Sequence, residues 1–280
     1  MKPFVVGVDG SAAAAAALRW AAELAVVVDT EILALNAFER PYAELSPEEN
    51  ERLVLERRSR LAEDWIRPAL EIGASVRTRV HGGDPREVVL ELAEAEDASV
   101  LVLGRTGRSG GPGFLHLGSV VEHVAHHTRQ PLAVIPETAS GPIRRIILGV
   151  DGSPESLHAV TWCAEIARAV EATVVAVTVD EPSYEWAPAS SPKNWRRDVE
   201  HGIDQLVAPL AAAGTAVTSL AQRNRHPADG LLDAASERGG DLLVIGTRGA
   251  GGFTGLRAGG VAMKVLHRAS LPLVLVPPSS

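Results

Sequence analysis

Cysteine and lysine are nearly missing from this chain, and so is any long unbroken apolar run. Cys163 is the one cysteine in 280 residues, so no intramolecular disulfide can form. It lies in an apolar helical pattern and reads as a small core residue rather than a nucleophile. The only lysines are Lys2, Lys193 and Lys264. Neither glycine-rich loop of the chain therefore carries the lysine of a Walker phosphate loop, which excludes a P-loop NTPase. A phosphoacceptor receiver domain is excluded as well, because the acidic pair beside strand one and the lysine after strand five are both missing. The most apolar stretch, Ala12 to Val28, is interrupted by Arg19 and Glu23 and reads as a packed helix, not a membrane span. Excess positive charge is lacking too: the formal charge is −8. No nucleic-acid footprint built on bulk basic charge is expected. Met1 to Val8 reads directly as a first strand with no signal-peptide pattern, so a reducing, cytoplasmic location is the expectation.

What is present is written twice. Val5–Ser11 returns as Ile147–Ser153, a shift of 142 residues. The same shift carries Trp20 to Trp162, Pro85 to Pro227 and Gly104-Arg-Thr-Gly107 to Gly246-Thr-Arg-Gly249. A constant offset at such distant positions marks one whole domain duplicated. The expected domains are residues 1–138 and 143–280, joined by the short Pro/Gly-containing segment Pro136–Pro142.

Each half alternates β-branched runs with longer helical patterns. The first half predicts strands at Phe4–Val8, Ile32–Ala37, Ser75–Val80, Val100–Leu103 and Leu132–Ile135, with helices near 11–28, 46–72, 84–96 and 118–128. The second predicts strands near 145–150, 173–179, 215–221, 241–245 and 272–276. Strands that are apolar throughout, each followed by a helix, imply a parallel sheet covered on both faces. Right-handed crossovers make each half a doubly wound, five-stranded α/β domain. The segments that differ most between halves, 39–50 and 180–197, read as loops, with Trp186 and Trp195 packing onto their own domain.

Ligands of open α/β sheets bind beyond the C-terminal ends of the strands, where strand order switches. Strand one of each half ends there in Gly-Val-Asp-Gly-Ser (Gly7–Ser11; Gly149–Ser153). Ser11 and Ser153 read as helix caps, while Asp9 and Asp151 stand where a ribose hydroxyl or a metal-bound phosphate would be met. Strand four runs into a glycine-rich loop and then a helix, through Gly104, Gly107 and Gly118-Ser119 in one half and Gly246, Gly249 and Gly259-Gly260 in the other. Glycines let backbone N–H groups turn inward and approach an anion closely. The helix that follows adds unpaired N–H groups and the positive end of its dipole. Each hydrogen bond from such a donor to a charged oxygen is worth roughly 1.5–3 kcal/mol, so several together can hold a triphosphate without lysine.

With these motifs the chain resembles the universal stress protein family, specifically its tandem-domain members, over essentially its whole length. That family's ATP-binding pattern is Gly, two residues, Gly, nine residues, Gly, then Ser or Thr. The resemblance implies a Rossmann-type, adenine-nucleotide α-hydrolase-like fold and the binding of ATP with Mg²⁺. Carried over by position, Asp9 and Asp151 lie near the nucleotide, and Ala37 and Val179 contact adenine. Ribose and phosphates fall to Gly104, Gly107, Gly118, Ser119 and Val120, and to Gly246, Gly249, Gly259, Gly260 and Val261. Both halves depart from the pattern. Ten residues separate Gly107 from Gly118, with Pro112 among them, and Gly260 replaces the hydroxyl residue in the second half. The first loop is expected to bulge its extra residue outward and keep both ends; the second loses a hydroxyl but keeps a backbone donor. After strand three, Gly82-Gly83-Asp84-Pro85 is the small-residue turn of the family, whereas Asn224-Arg225-His226-Pro227 is bulkier and offers Arg225 to a phosphate.

Two motifs point elsewhere. Gly107-Arg108-Ser109-Gly110-Gly111 matches a nucleophile elbow, with histidines at 116, 123, 126 and 127, but the duplicate has Ala250-Gly251 and no serine. His126-His127 is a poor metal pair, because adjacent helix residues point to different sides. With no general base or nucleophile beside the loop, a non-enzymatic ATP binder is expected, which the family resemblance casts as a regulator in stress or growth arrest. Slow ATP hydrolysis or autophosphorylation is one alternative; an interaction scaffold without nucleotide is another. The last strands, Leu132–Ile135 and Leu273–Val276, are sheet edges that need covering. Pairing across the halves or with another chain, and a homodimer, is expected.

Overall fold

A computed structural model describes residues 2–39, 46–107, 117–181, 194–249 and 258–278. Arg108–Gly111, Pro112, His116, Trp186 and the interiors of the loops 39–50 and 180–197 lie outside the described residues. The chain divides into two compact units, Met1–Gly141 and Pro142–Ser280.

In the first unit β1 (Phe4–Gly7), β2 (Ile32–Phe38), β3 (Val76–Gly82), β4 (Val100–Gly104) and β5 (Leu132–Ile135) form a parallel sheet in the order β3-β2-β1-β4-β5. In the second, β6 (Arg145–Gly149), β7 (Thr173–Asp180), β8 (Val217–Arg223), β9 (Leu242–Gly246) and β10 (Leu273–Val276) repeat it as β8-β7-β6-β9-β10. The fold is thus two tandem doubly wound α/β units. β1, β4 and β5 are buried almost throughout, as strands covered on both faces must be. β3 is different: Arg77 and Arg79 reach Glu96 across its exposed surface.

Helix α1 (Ala12–Val27) buries Ala13, Ala14, Ala16, Ala17, Ala21, Ala22 and Ala25 along with Leu18, Trp20 and Leu24. Small side chains let its axis come close to the sheet, and that approach shapes the site. The pattern over 46–72, expected as one helix, is three pieces: α2 (Pro47–Arg60), a π-helical turn Leu61–Trp65, and α3 (Arg67–Ile72). Pro68 supplies the reason. It has no N–H for the carbonyl four residues back and its ring crowds that carbonyl, so the preceding turn widens, with Ile66 N donating to Leu61 O at 3.2 Å. α1 packs with α3, while α4 (Pro85–Ala95) packs with α5 (Ser119–His127). The second unit follows with α6 (Pro154–Ala169), α7 (Trp195–Leu206), α8 (Ala208–Ala212), α9 (Pro227–Glu237) and α10 (Gly260–Arg268). Among the described residues no helix is long and apolar enough to cross a membrane.

Candidate functional site

In each unit the strand order reverses direction between the first strand and the fourth, β1 and β4 in one and β6 and β9 in the other. The crevice opens beyond the carboxyl ends of that pair. Three segments converge on it: the aspartate turn after the first strand, the glycine loop after the fourth, and the N-terminus of the helix that follows.

The turn is built by its own side chains. Asp9 Oδ1 accepts from Ser11 N at 2.9 Å, and Ser11 Oγ accepts from Ala14 N at 3.1 Å, capping α1. In the second unit Asp151 Oδ1 accepts from both Ser153 N (3.0 Å) and Ser153 Oγ (2.6 Å), while that Oγ accepts from Ser156 N at 3.2 Å. Both serines are therefore helix caps, and Ser153 also fixes its aspartate.

The loop glycines fall into three kinds. At Gly104 an added Cβ would lie 2.6 Å from Ala13 C and 2.7 Å from Ala13 O; at Gly246 it would lie 2.9 Å from Glu155 C. These glycines let the strand end pass against the first turn of the helix. Gly107 and Gly249 face the carboxylates, where a Cβ would come 3.1 Å from Asp9 Oδ2 and 2.5 Å from Asp151 Oδ2. Gly118 and Gly259 close the loops. Gly118 N donates to Arg105 O at 2.9 Å, and Gly259 N donates to Thr247 O at 2.7 Å. The two necks thus match, although the loops between them differ in length by one residue.

Gly118 and Gly259 are also the N-caps of α5 and α10, and neither helix has a side-chain cap. Ser119 is exposed and Val120 half-buried in the first turn of α5; Gly260 and Val261 are exposed in the first turn of α10. Opening amides left uncapped by side chains, together with the dipole, favour an anion at this end. What the arrangement offers chemically is a set of backbone donors beside a carboxylate.

Ala37 and Val179 sit half-buried near the ends of β2 and β7. The residue before each ties its strand to the aspartate turn in the same way. Asn36 Nδ2 donates to Val8 O at 2.6 Å, and Thr178 Oγ1 donates to Val150 O at 2.7 Å. Val179 packs against Gly230 of α9, where a Cβ would be 2.7 Å from its Cγ1. At the corresponding positions the first unit has Ala37 and Val88, an exchange of bulk between strand and helix. The turns after strand three differ as expected in size. Asp84 caps α4 by accepting from Arg86 N at 2.9 Å, whereas His226 at the head of α9 makes no side-chain cap. Arg225 is exposed there.

Several residues at the site were not singled out in the sequence. Glu155, nearly buried, pairs with Arg248 at 2.7 Å and ties the start of α6 to the glycine loop. Arg105 is buried, and that burial pulls its guanidinium below the usual value. Trp65 lies against Gly10. A signal existed only for Asn36 and Thr178, which are polar residues at matching places in otherwise apolar strands.

The histidine pair lies away from the crevice. His126 and His127 are in the last turn of α5, about 12 Å along the helix from its N-terminus. His127 stacks on His123 at 4.2 Å, and His123 Nε2 meets Glu87 at 3.1 Å. Among the described residues no cluster of three or more His, Cys, Asp or Glu is placed to hold a metal. Cys163 is fully buried, and burial pushes its thiol up to about 12. Trp195 packs in its own unit, under the Arg223 guanidinium at 4.0 Å.

Comparison with known proteins finds one family over both units. The universal stress protein family matches twice, over residues 1–136 and 142–277. A universal stress protein of Mycolicibacterium smegmatis is 28% identical over 294 residues, covering 98% of this chain and 96% of its own. One from Mycobacterium tuberculosis is 28% identical over 304 residues, covering 97% and 93%. The crystal structure of a universal stress protein from Archaeoglobus fulgidus shares the fold with a TM-score of 0.75 at 18% identity, over 99% of this chain and 98% of that one.

Proposed function

The chain belongs to the universal stress protein family, and from that premise we propose that each half binds one ATP with Mg²⁺ and that the protein acts as a nucleotide-responsive regulator in stress or growth arrest. One observation carries the reading. Both units repeat the same three parts: an aspartate facing the second glycine, a neck closed through the third glycine, and a helix with no side-chain cap. Repetition at these places, where loop sequence and length have diverged, supports a common ligand.

The residues fit a triphosphate and its cation. Gly107 and Gly118 leave the backbone open where a Cβ would approach Asp9 Oδ2 to 3.1 Å and Arg105 O to 3.4 Å. Phosphate oxygens would take the amides of Ser119 and Val120, and of Gly260 and Val261, with Gly118 and Gly259 leaving room for their approach. Adenine would lie toward Ala37 and Val179, with Gly104, Gly107, Gly246 and Gly249 shaping the loop. A carboxylate beside a triphosphate is repulsive unless a cation intervenes, and Mg²⁺ is typically held by one or two carboxylates plus phosphate oxygens. Asp9 and Asp151 have that role in the proposal. Among the described residues, backbone donors beside a carboxylate committed to the cation favour binding over turnover. A cytoplasmic location and a homodimer complete the proposal; a monomeric mass in light scattering across micromolar concentrations would reject the dimer.

Calorimetric titration with Mg-ATP tests the site. Gly118→Ala and Gly259→Ala should each remove the binding of one half, and the double variant should remove both. Undiminished binding by the double variant, or no binding by the unaltered protein, would reject the reading. Labelled ATP should be recovered intact, with the protein unlabelled above the double-variant control.

A further inference from the structure

The first unit holds its aspartate turn by a device that has no counterpart among the described residues of the second. The Trp65 indole lies on Gly10, the residue after Asp9, so closely that a Cβ there would be 2.7 Å from Cε2 and 2.8 Å from Nε1. Two helical turns earlier, Arg57 Nη1 donates to Asn36 Oδ1 at 3.2 Å, and its guanidinium lies 4.5 Å from the centre of the Phe38 ring. Asn36, itself buried, passes the connection to Val8 O, the carbonyl preceding Asp9. Leu61, fully buried, lies midway between Arg57 and Trp65. The π-helical turn Leu61–Trp65 adds the residue that re-aims the indole, a feature that recurs at functional sites.

The second unit is built otherwise. Among the described residues a Cβ on Gly152 would meet nothing within 4 Å, and Asp151 is held by the Ser153 hydroxyl. The Val150 carbonyl is served by Thr178. Helix α2, moreover, has no fully buried residue, so the contacts of Arg57 and the turn ending at Trp65 anchor its C-terminal end.

We infer that Trp65 and Arg57 are positioning residues that set the Asp9 turn for the nucleotide, so that the first site is coupled to the helix over Pro47–Trp65 and the second is not. This rests on the ATP reading above. Binding that favours one arrangement of the turn must, by linkage, favour the matching arrangement of α2. The order of that helix then reports occupancy of the first half alone.

The experiment uses the full chain carrying Gly259→Ala, so that only first-half binding is read. Trp65→Ala should weaken Mg-ATP binding about tenfold, the scale for losing a group that orients a binding residue. Trp65→Phe, which keeps a flat ring on Gly10, should restore most of the affinity. It should also abolish the ATP-induced change in tryptophan emission seen with Trp65 present. Amide exchange over residues 47–60 should slow with ATP in the Trp65 protein and not in Trp65→Ala. Equal affinity in Trp65→Ala, or an emission change that persists in Trp65→Phe, overturns the inference and leaves the ATP reading standing. Absence of ATP binding in the unaltered protein overturns both. If Trp65→Ala does not fold, the emission of Trp65→Phe decides.

Discussion

Alanine at the first glycine of each loop and alanine at the third should fail in different assays. At Gly104 the new methyl would stand 2.6–2.8 Å from Ala13 C, Ala13 O and Ala14 N. All three are backbone atoms of α1 and cannot swing aside. Relief requires α1 to move off the strand end by about 1 Å, toward the usual 3.5–4.0 Å separation. Such overpacking costs about 1–3 kcal/mol, a fall of roughly 3–10 °C in Tm for a domain of this size. Gly246→Ala, with a nearest approach of 2.9 Å, should be the milder of the pair.

At Gly118 and Gly259 the nearest atoms would be 3.4 and 3.5 Å away, and φ is −67° and −82°. Alanine fits there. It is a poorer N-cap by roughly 1 kcal/mol, but its lower freedom in the unfolded chain returns about 0.4–1 kcal/mol. Tm without nucleotide should therefore move by no more than about 3 °C, while the methyl blocks the backbone approach that phosphate needs. Differential scanning calorimetry without nucleotide, followed by Mg-ATP titration, separates the two effects. The same Tm loss in all four variants, or an unchanged Tm for Gly104→Ala, would refute this division of the glycines.

Other outcomes follow from the same geometry. Cys163, buried with its thiol pushed up to about 12, should resist iodoacetamide in the native protein and react once the chain is unfolded. Arg248→Met should leave the nearly buried Glu155 unpaired and lower stability by about 1–3 kcal/mol in denaturant titration. Asp84 is held below its ordinary value first by the hydrogen bond from Arg86, and Glu96 first by that from Arg77. Their contributions are present above the ordinary carboxylate range and are lost as pH falls through the lowered folded-state values. Glu23, raised first by burial, acts in the opposite sense and is relieved on acidification. Glu96→Gln should accordingly flatten the acid side of a Tm-against-pH curve.

The tandem architecture was legible because two copies checked one another, and apolar strands each followed by a helix admit few arrangements. Ser11 and Ser153 could be read as caps because capping is local chemistry. The break at Pro68 was less visible, since a widened turn preserves enough helical periodicity over 46–72 to pass for one helix. The ion pair across the second unit left no trace at all. Glu155 and Arg248 replace Ala13 and Thr106 of the other half, so no repeat announced them. Trp65 reaches Gly10 only through the geometry of the π-helical turn. Gly104 and Gly246 fell into a single glycine pattern with the rest, although their close contact is with the first helix of the unit.

The most direct measurement is to denature freshly purified protein and quantify released nucleotide by chromatography, adding Mg-ATP back where little is found. The account predicts one adenine nucleotide for each half, with ATP in excess of ADP. No released nucleotide, and no binding when Mg-ATP is supplied, would contradict it and leave a scaffold that has lost its ligand.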